Sequence, residues 1–269
     1  MITSLPERTS YERELFELGV LKTRGKAGGK TWRLKSKAGG GKTALYVPAA
    51  ALGQDPVDLV LFIHGDPKPC GNGVDDEAAL LVGSSTFAIP TMLDASKAEA
   101  VLVAPTMPWS TNKTWHALGA PEKMNAFLAE VQKSLVDAGW ASMPSLRRVV
   151  MSGHSRAHVV LNALAKAVGD KAWSTGALAK VSDVCLLDTT YGDPSKHCST
   201  WTDFAKAKPS VTLTVGYQTR GDTVRVAECI ANAALKNVVV FPEVPPTKES
   251  IHCEIPQRVL PKVLARLVP

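Results

Sequence analysis

The chain has 269 residues, 45% of them hydrophobic and 21% charged, a balance that excludes a disordered polypeptide and suffices for one substantial core. Its net charge of +6 comes from basic residues scattered among 25 acidic ones, which implies a solvated, mildly basic surface and no nucleic-acid partner. No apolar run approaches the roughly 20 residues of a transmembrane helix.

The opening Met-Ile-Thr-Ser-Leu-Pro-Glu-Arg lacks the basic and apolar regions of a Sec signal. Five cysteines, Cys70, Cys185, Cys198, Cys229 and Cys253, form no CxxC pair, and an odd number cannot all pair within one chain. The expectation is free thiols and a cytoplasmic location. Residues 11–21 (YERELFELGVL) put Leu15, Leu18 and Leu21 on one helical face before Gly25, Gly28 and Gly29, so 1–30 reads as an N-terminal helix and linker.

Residues 31–37 and 43–48 flank Gly39-Gly40-Gly41 as a hairpin. The GGGKT within it is no phosphate loop: position 36, where that motif needs glycine, is Ser36, and a strand-like TALYVP follows instead of a helix. Six further strand candidates come next: DLVLFIHG (58–65), AVLVAP (100–105), RVVMSG (148–153), DVCLLD (183–188), SVTLTVGY (210–217) and NVVVFPEV (237–244). Helical stretches fall around 121–138, 157–168, 223–235 and 256–267. This alternation predicts an α/β fold, a mostly parallel eight-stranded sheet with helices on both faces and its chemistry at the carboxyl ends of the strands.

RVVMSG runs directly into Gly153-His154-Ser155-Arg156-Ala157-His158 and an apolar helix. A serine at a strand–turn–helix junction stands above the sheet, beside amides and a helix N-terminus suited to an oxyanion. Small residues are needed two positions either side, and Gly153 and Ala157 are small. The plainer role for such a serine is a helix cap.

With His64-Gly65 closing the third strand, His252 after the eighth and Ile255-Pro256 opening the last helix, residues 31–269 resemble the α/β-hydrolase family of serine hydrolases. LLDTTYGD and HCEIP further resemble a bacterial subset of esterase-like members. The resemblance implies Ser155 as nucleophile, His252 as general base, and backbone amides of Asp66 and Arg156 as the oxyanion hole. It leaves two candidate acids, Asp188 at the end of the sixth strand and Asp222 after the seventh. Asp188 is preferred, because a carboxylate directly following a buried strand needs a partner there.

His154 and His158 stand four apart, but a zinc-protease motif needs glutamate where Ser155 stands, so no metal is expected. Trp109, Trp115 and Tyr191 sit in loops expected to overhang the strand ends, as substrate walls or as loop packing. The implied activity is hydrolysis of a carboxylic ester, or less readily an amide, through an acyl-enzyme with no metal or organic cofactor. The partner is then a small-molecule or acyl-ester substrate, and the sequence leaves the oligomeric state open. A catalytically silent hydrolase-like binding protein and an acyltransferase with the same trio are the alternatives.

Overall fold

The computed structural model describes residues 15–20, 29–37, 41–65, 70, 87, 89–107, 117–218, 221–241 and 251–268. The strands are β1 (Leu15–Val20), β2 (Lys30–Ser36), β3 (Gly41–Val47), β4 (Val57–Ile63), β5 (Ala100–Pro105), β6 (Leu146–His154), β7 (Val181–Leu187), β8 (Thr212–Gly216) and β9 (Val238–Val240). They form one sheet in the order β1-β2-β3-β5-β4-β6-β7-β8-β9. Pairing from β1 to β5 across β2 and β3 is antiparallel, and from β5 onward it is parallel.

The eight expected strands are β2 to β9, and β1 is a ninth. Over residues 15–20 it replaces the helix expected for 11–21, the rest of which lies outside the described residues. The leucine spacing there fits a helix, but Phe16, Leu18 and Val20 also alternate along a strand, and a short apolar run does not separate the two periods. Pairing decides it: β2 offers an open edge, and the backbone of Leu15–Val20 satisfies that edge in an antiparallel ladder with Leu34 to Lys30.

The helices are α1 (Ile89–Ser96), α2 (Pro121–Asp137), α3 (His158–Lys166), α4 (Pro194–Ala207), α5 (Asp222–Asn232) and α6 (Ile251–Leu264). Strand alternation divides the apolar side chains between the two sheet faces. Leu59, Leu61 and Ile63 of β4 join a cluster with Phe127 and Leu128 of α2, Leu161 and Leu164 of α3, and Trp201 and Phe204 of α4. Val60 and Phe62 join the opposite cluster, with Leu93 of α1 and Val259, Leu260 and Val263 of α6. Because helices cover both faces, every residue of β4 and β5 is buried.

The cysteine expectation is overturned. Cys70 bonds to Cys253 and Cys198 to Cys229, leaving Cys185 as the free, buried thiol. Spacing in sequence was the wrong guide: Cys70 and Cys253 are 183 residues apart, yet their Cα atoms stand 5.4 Å apart, within bridging distance. The second bridge joins α4 to α5. Burial pushes the Cys185 thiol well above its usual range, so it stays protonated. Unreduced protein should therefore titrate no thiol when native and one when denatured, against five after reduction, in a thiol-reagent assay.

Candidate active site

Strand register brings the site together. Ile63 of β4 pairs with Gly153 of β6, so His64-Gly65 and His154-Ser155 leave the sheet side by side. His154 pairs with Leu187 of β7, which puts Asp188 next to Ser155, and Leu187 pairs with Gly216 at the end of β8. The cluster forms where β5 and β6 lie on opposite sides of β4, at the carboxyl ends of parallel strands where α/β sheets hold their ligands.

Ser155 opens a single 3-10 turn, Ser155–Ala157, between β6 and α3, with φ of 55°. A left-handed backbone is uncommon for a residue other than glycine, and such strain concentrates at functional turns. The chain passes itself very closely here. A Cβ on Gly65 would fall on the Ser155 Cβ and within 2.9 Å of the His154 carbonyl oxygen, and one on Gly153 would meet the Ala157 Cβ at 2.9 Å. The turn is held from the side by Thr189, whose hydroxyl donates to the Ser155 carbonyl at 2.5 Å.

His64 is fixed by two bonds that also define its tautomer. The Met107 amide donates to Nε2 at 2.9 Å, so Nδ1 carries the proton and donates to the Gly65 carbonyl at 2.6 Å. This locks the end of β4 to the segment after β5.

Asp188 is also left-handed, with φ of 48°, and its amide donates to the Gly216 carbonyl at 2.7 Å. Its Oδ2 lies 2.5 Å from His252 Nδ1, while its side chain is fully buried. Tyr191 donates its hydroxyl to the same Oδ2 at 2.7 Å and lies 2.9 Å from His252 Nδ1. Burial and the Asp188 charge hold the tyrosine hydroxyl far above its usual range, so it remains a donor.

His252 was expected in a loop with Pro256 opening the helix that follows. Instead it lies in the first turn of α6, four residues before Pro256. Proline favours the first helical position, and here it lies further in. Further into the helix, Pro256 has no N–H to give the His252 carbonyl, so that carbonyl is released from the helical ladder. His154 fills the vacancy, its Nε2 donating to the His252 oxygen at 2.9 Å with the two rings 4.4 Å apart. Burial and the neighbouring His252 push His154 down to about 3, which keeps it neutral. On the other side, Cys253 ties the same turn to Cys70, beyond the His64-Gly65 segment.

Of the residues singled out by sequence, the fold thus brings Asp188, His252 and Tyr191 into direct contact, beside Ser155. No hydrogen bond joins Ser155 Oγ to His252 among the described residues; such bonds are often long in unliganded sites and tighten on substrate binding. Asp222 is the first residue of α5, and among the described residues the carboxylate on His252 is that of Asp188. Arg156 follows Ser155 in the turn with its side chain exposed. Asp66, Trp109 and Trp115 lie outside the described residues. Sequence reasoning missed Thr189, the carbonyl-binding role of His154 and the contacts of Tyr191. Only the proline four residues beyond His252 signalled any of them.

Cys70, His154 and His252 place ligand-type atoms within 4.8 Å of one another, but the Cys70 sulfur is in its disulfide and His154 Nε2 is engaged. His158 is not part of that set, and its Nδ1 meets the Ser155 carbonyl at 3.3 Å.

No family model matches the sequence, and no curated protein matches it. Solved structures do. An S-formylglutathione hydrolase from Agrobacterium tumefaciens superposes with a TM-score of 0.51 at 11% identity, over 94% of this chain and 100% of that one. A ferulic acid esterase gives 0.54 at 12% identity, over 91% of this chain and 100% of its own. The chain has the α/β-hydrolase fold. A feruloyl esterase module from Clostridium thermocellum, solved with sinapinate, agrees at 0.52 and 12% identity, covering 87% of both chains. At these identities the likeness establishes the α/β-hydrolase architecture and leaves chemistry to be argued from the site. No helix among the described residues is long and apolar enough to cross a membrane.

Proposed function

We propose that the chain is a serine hydrolase that cleaves carboxylic esters through an acyl-enzyme on Ser155. The observation that carries this reading is the His252–Asp188 pair, assembled from residues 64 apart beside a left-handed serine. Serine is a weak nucleophile on its own, and the intermediate of acyl transfer carries an oxyanion. His252 answers the first difficulty. Its Nε2 accepts the Ser155 proton as Oγ attacks the acyl carbon, while Asp188 holds Nδ1–H and stabilises the imidazolium.

Collapse of the tetrahedral intermediate breaks the ester C–O bond, and His252 returns the proton to the leaving alkoxide. Water then repeats the sequence against the acyl-enzyme: His252 takes its proton, and Ser155 leaves with that proton restored. The backbone amides of Arg156 and Asp66 are proposed as oxyanion donors, with the first adjacent to the nucleophile in the same turn. Trp109 is proposed as a wall of the acyl site. The steps draw on no metal ion or organic cofactor.

The two disulfides fit an oxidising setting better than the reducing cytoplasm expected above. Among the described residues no hydrogen bond joins Ser155 to His252, and a site that stays so with substrate bound would be the second reading, a hydrolase-like binding protein without turnover. Nitrophenyl esters of short, long and hydroxycinnamoyl acids separate the two readings. The hydrolase reading expects saturable turnover of at least one class with an initial burst of nitrophenol. Absence of turnover across all classes would favour the binding protein.

A further inference from the structure

We propose that Tyr191 is a positioning residue of this site, its hydroxyl fixing the Asp188 carboxylate and moderating the pull of that charge on His252. This rests on the serine-hydrolase reading, but it follows from a feature which that reading does not require. Among the described residues Asp188 accepts two hydrogen bonds, both on Oδ2, from His252 at 2.5 Å and Tyr191 at 2.7 Å, while its buried Oδ1 has no partner there. A carboxylate oxygen serving two donors shares its negative charge between them.

The direction of the tyrosine proton is set by its surroundings. Gln218 Nε2 donates to the Tyr191 oxygen at 3.3 Å, and the Tyr191 backbone carbonyl accepts from His197 Nε2 at 2.7 Å, so the ring is anchored with its O–H aimed at Asp188. The Tyr191 oxygen also lies 2.9 Å from His252 Nδ1. The Nδ1 proton nevertheless belongs chiefly to Asp188, because that contact is shorter and its acceptor is charged. Tyr191 therefore acts mainly through the aspartate. It fixes the carboxylate that orients the imidazole, and it weakens the carboxylate's stabilisation of the imidazolium.

Among the described residues, the titratable groups facing the His252 ring are Asp188 and Tyr191 at Nδ1 and His154 against the ring face, and Cys70 and Cys253 are joined as a disulfide. Removing the tyrosine hydroxyl leaves the full carboxylate charge on the imidazole, which favours its protonated form.

The test is Tyr191→Phe, which keeps the ring and removes the hydroxyl. With nitrophenyl acetate, kcat should fall about tenfold at neutral pH with KM within about twofold, and the acidic limb of kcat/KM should move up by about half to one pH unit. The His252 imidazole titration, followed by NMR without substrate, should move up by the same amount. An unmoved NMR titration would overturn the proposal. A KM raised more than about tenfold with kcat intact would do so as well, placing the tyrosine with the substrate. If the NMR midpoint moves while wild-type protein turns over no ester, the Tyr191–Asp188–His252 linkage stands and the hydrolase reading falls.

Discussion

Replacing Ser155 by alanine is expected to lower kcat for ester hydrolysis at least about a thousandfold with little change in stability. The two halves of that expectation have separate causes. Stability is spared because, among the described residues, Ser155 Oγ has no hydrogen-bond partner for the substitution to orphan. What holds the turn is backbone and neighbours: the Thr189 hydroxyl on the Ser155 carbonyl and the close passage of Gly65 and Gly153. Activity is lost because the acyl-enzyme cannot form, leaving only binding and the oxyanion donors to act on an attacking water. His252→Ala should cost a comparable factor, and the double variant little more than either alone, since the members of one catalytic unit do not multiply. Retention of more than about a tenth of wild-type kcat by Ser155→Ala would remove the nucleophile assignment.

The second large effect separates two aspartates. Asp188→Asn should lower kcat at least about a hundredfold with KM little changed, whereas Asp222→Asn should alter it less than about fivefold. Asparagine keeps the size of Asp188 but loses its charge and presents an amide, which favours the wrong imidazole tautomer. Oδ2 of Asp188 also serves both His252 and Tyr191, so the substitution disturbs two contacts at once. Asp222 begins α5, where its charge favours the helix N-terminus by about 0.3–1 kcal/mol. Steady-state kinetics on the two variants decide the matter. The reverse ranking would reassign the acid without disturbing Ser155.

The central architecture was legible because its signals are local. Buried parallel strands read as unbroken apolar runs, and the glycine, serine and alanine of GHSRA occur within five consecutive residues of a strand–turn–helix. Contacts set by register were not. Both aspartates follow strands, and what distinguishes them is that β7 lies directly beside β6, with Leu187 opposite His154. The disulfides failed for the same reason, since a separation of 183 residues carries no spacing signal. Leu15–Val20 failed because its apolar residues fit both periods and a neighbouring strand edge decided between them. Pro256 was noticed but misplaced: it marks the carbonyl of His252, four residues earlier, rather than the start of the helix.

The most direct test of an activated serine is covalent labelling with a fluorophosphonate, followed by mass-spectrometric mapping of the modified peptide. The account predicts one modified residue, Ser155, labelled rapidly in wild-type protein, slowly in Asp188→Asn and not detectably in His252→Ala. Labelling at another serine, or labelling of Ser155 at an unchanged rate without His252, would contradict it.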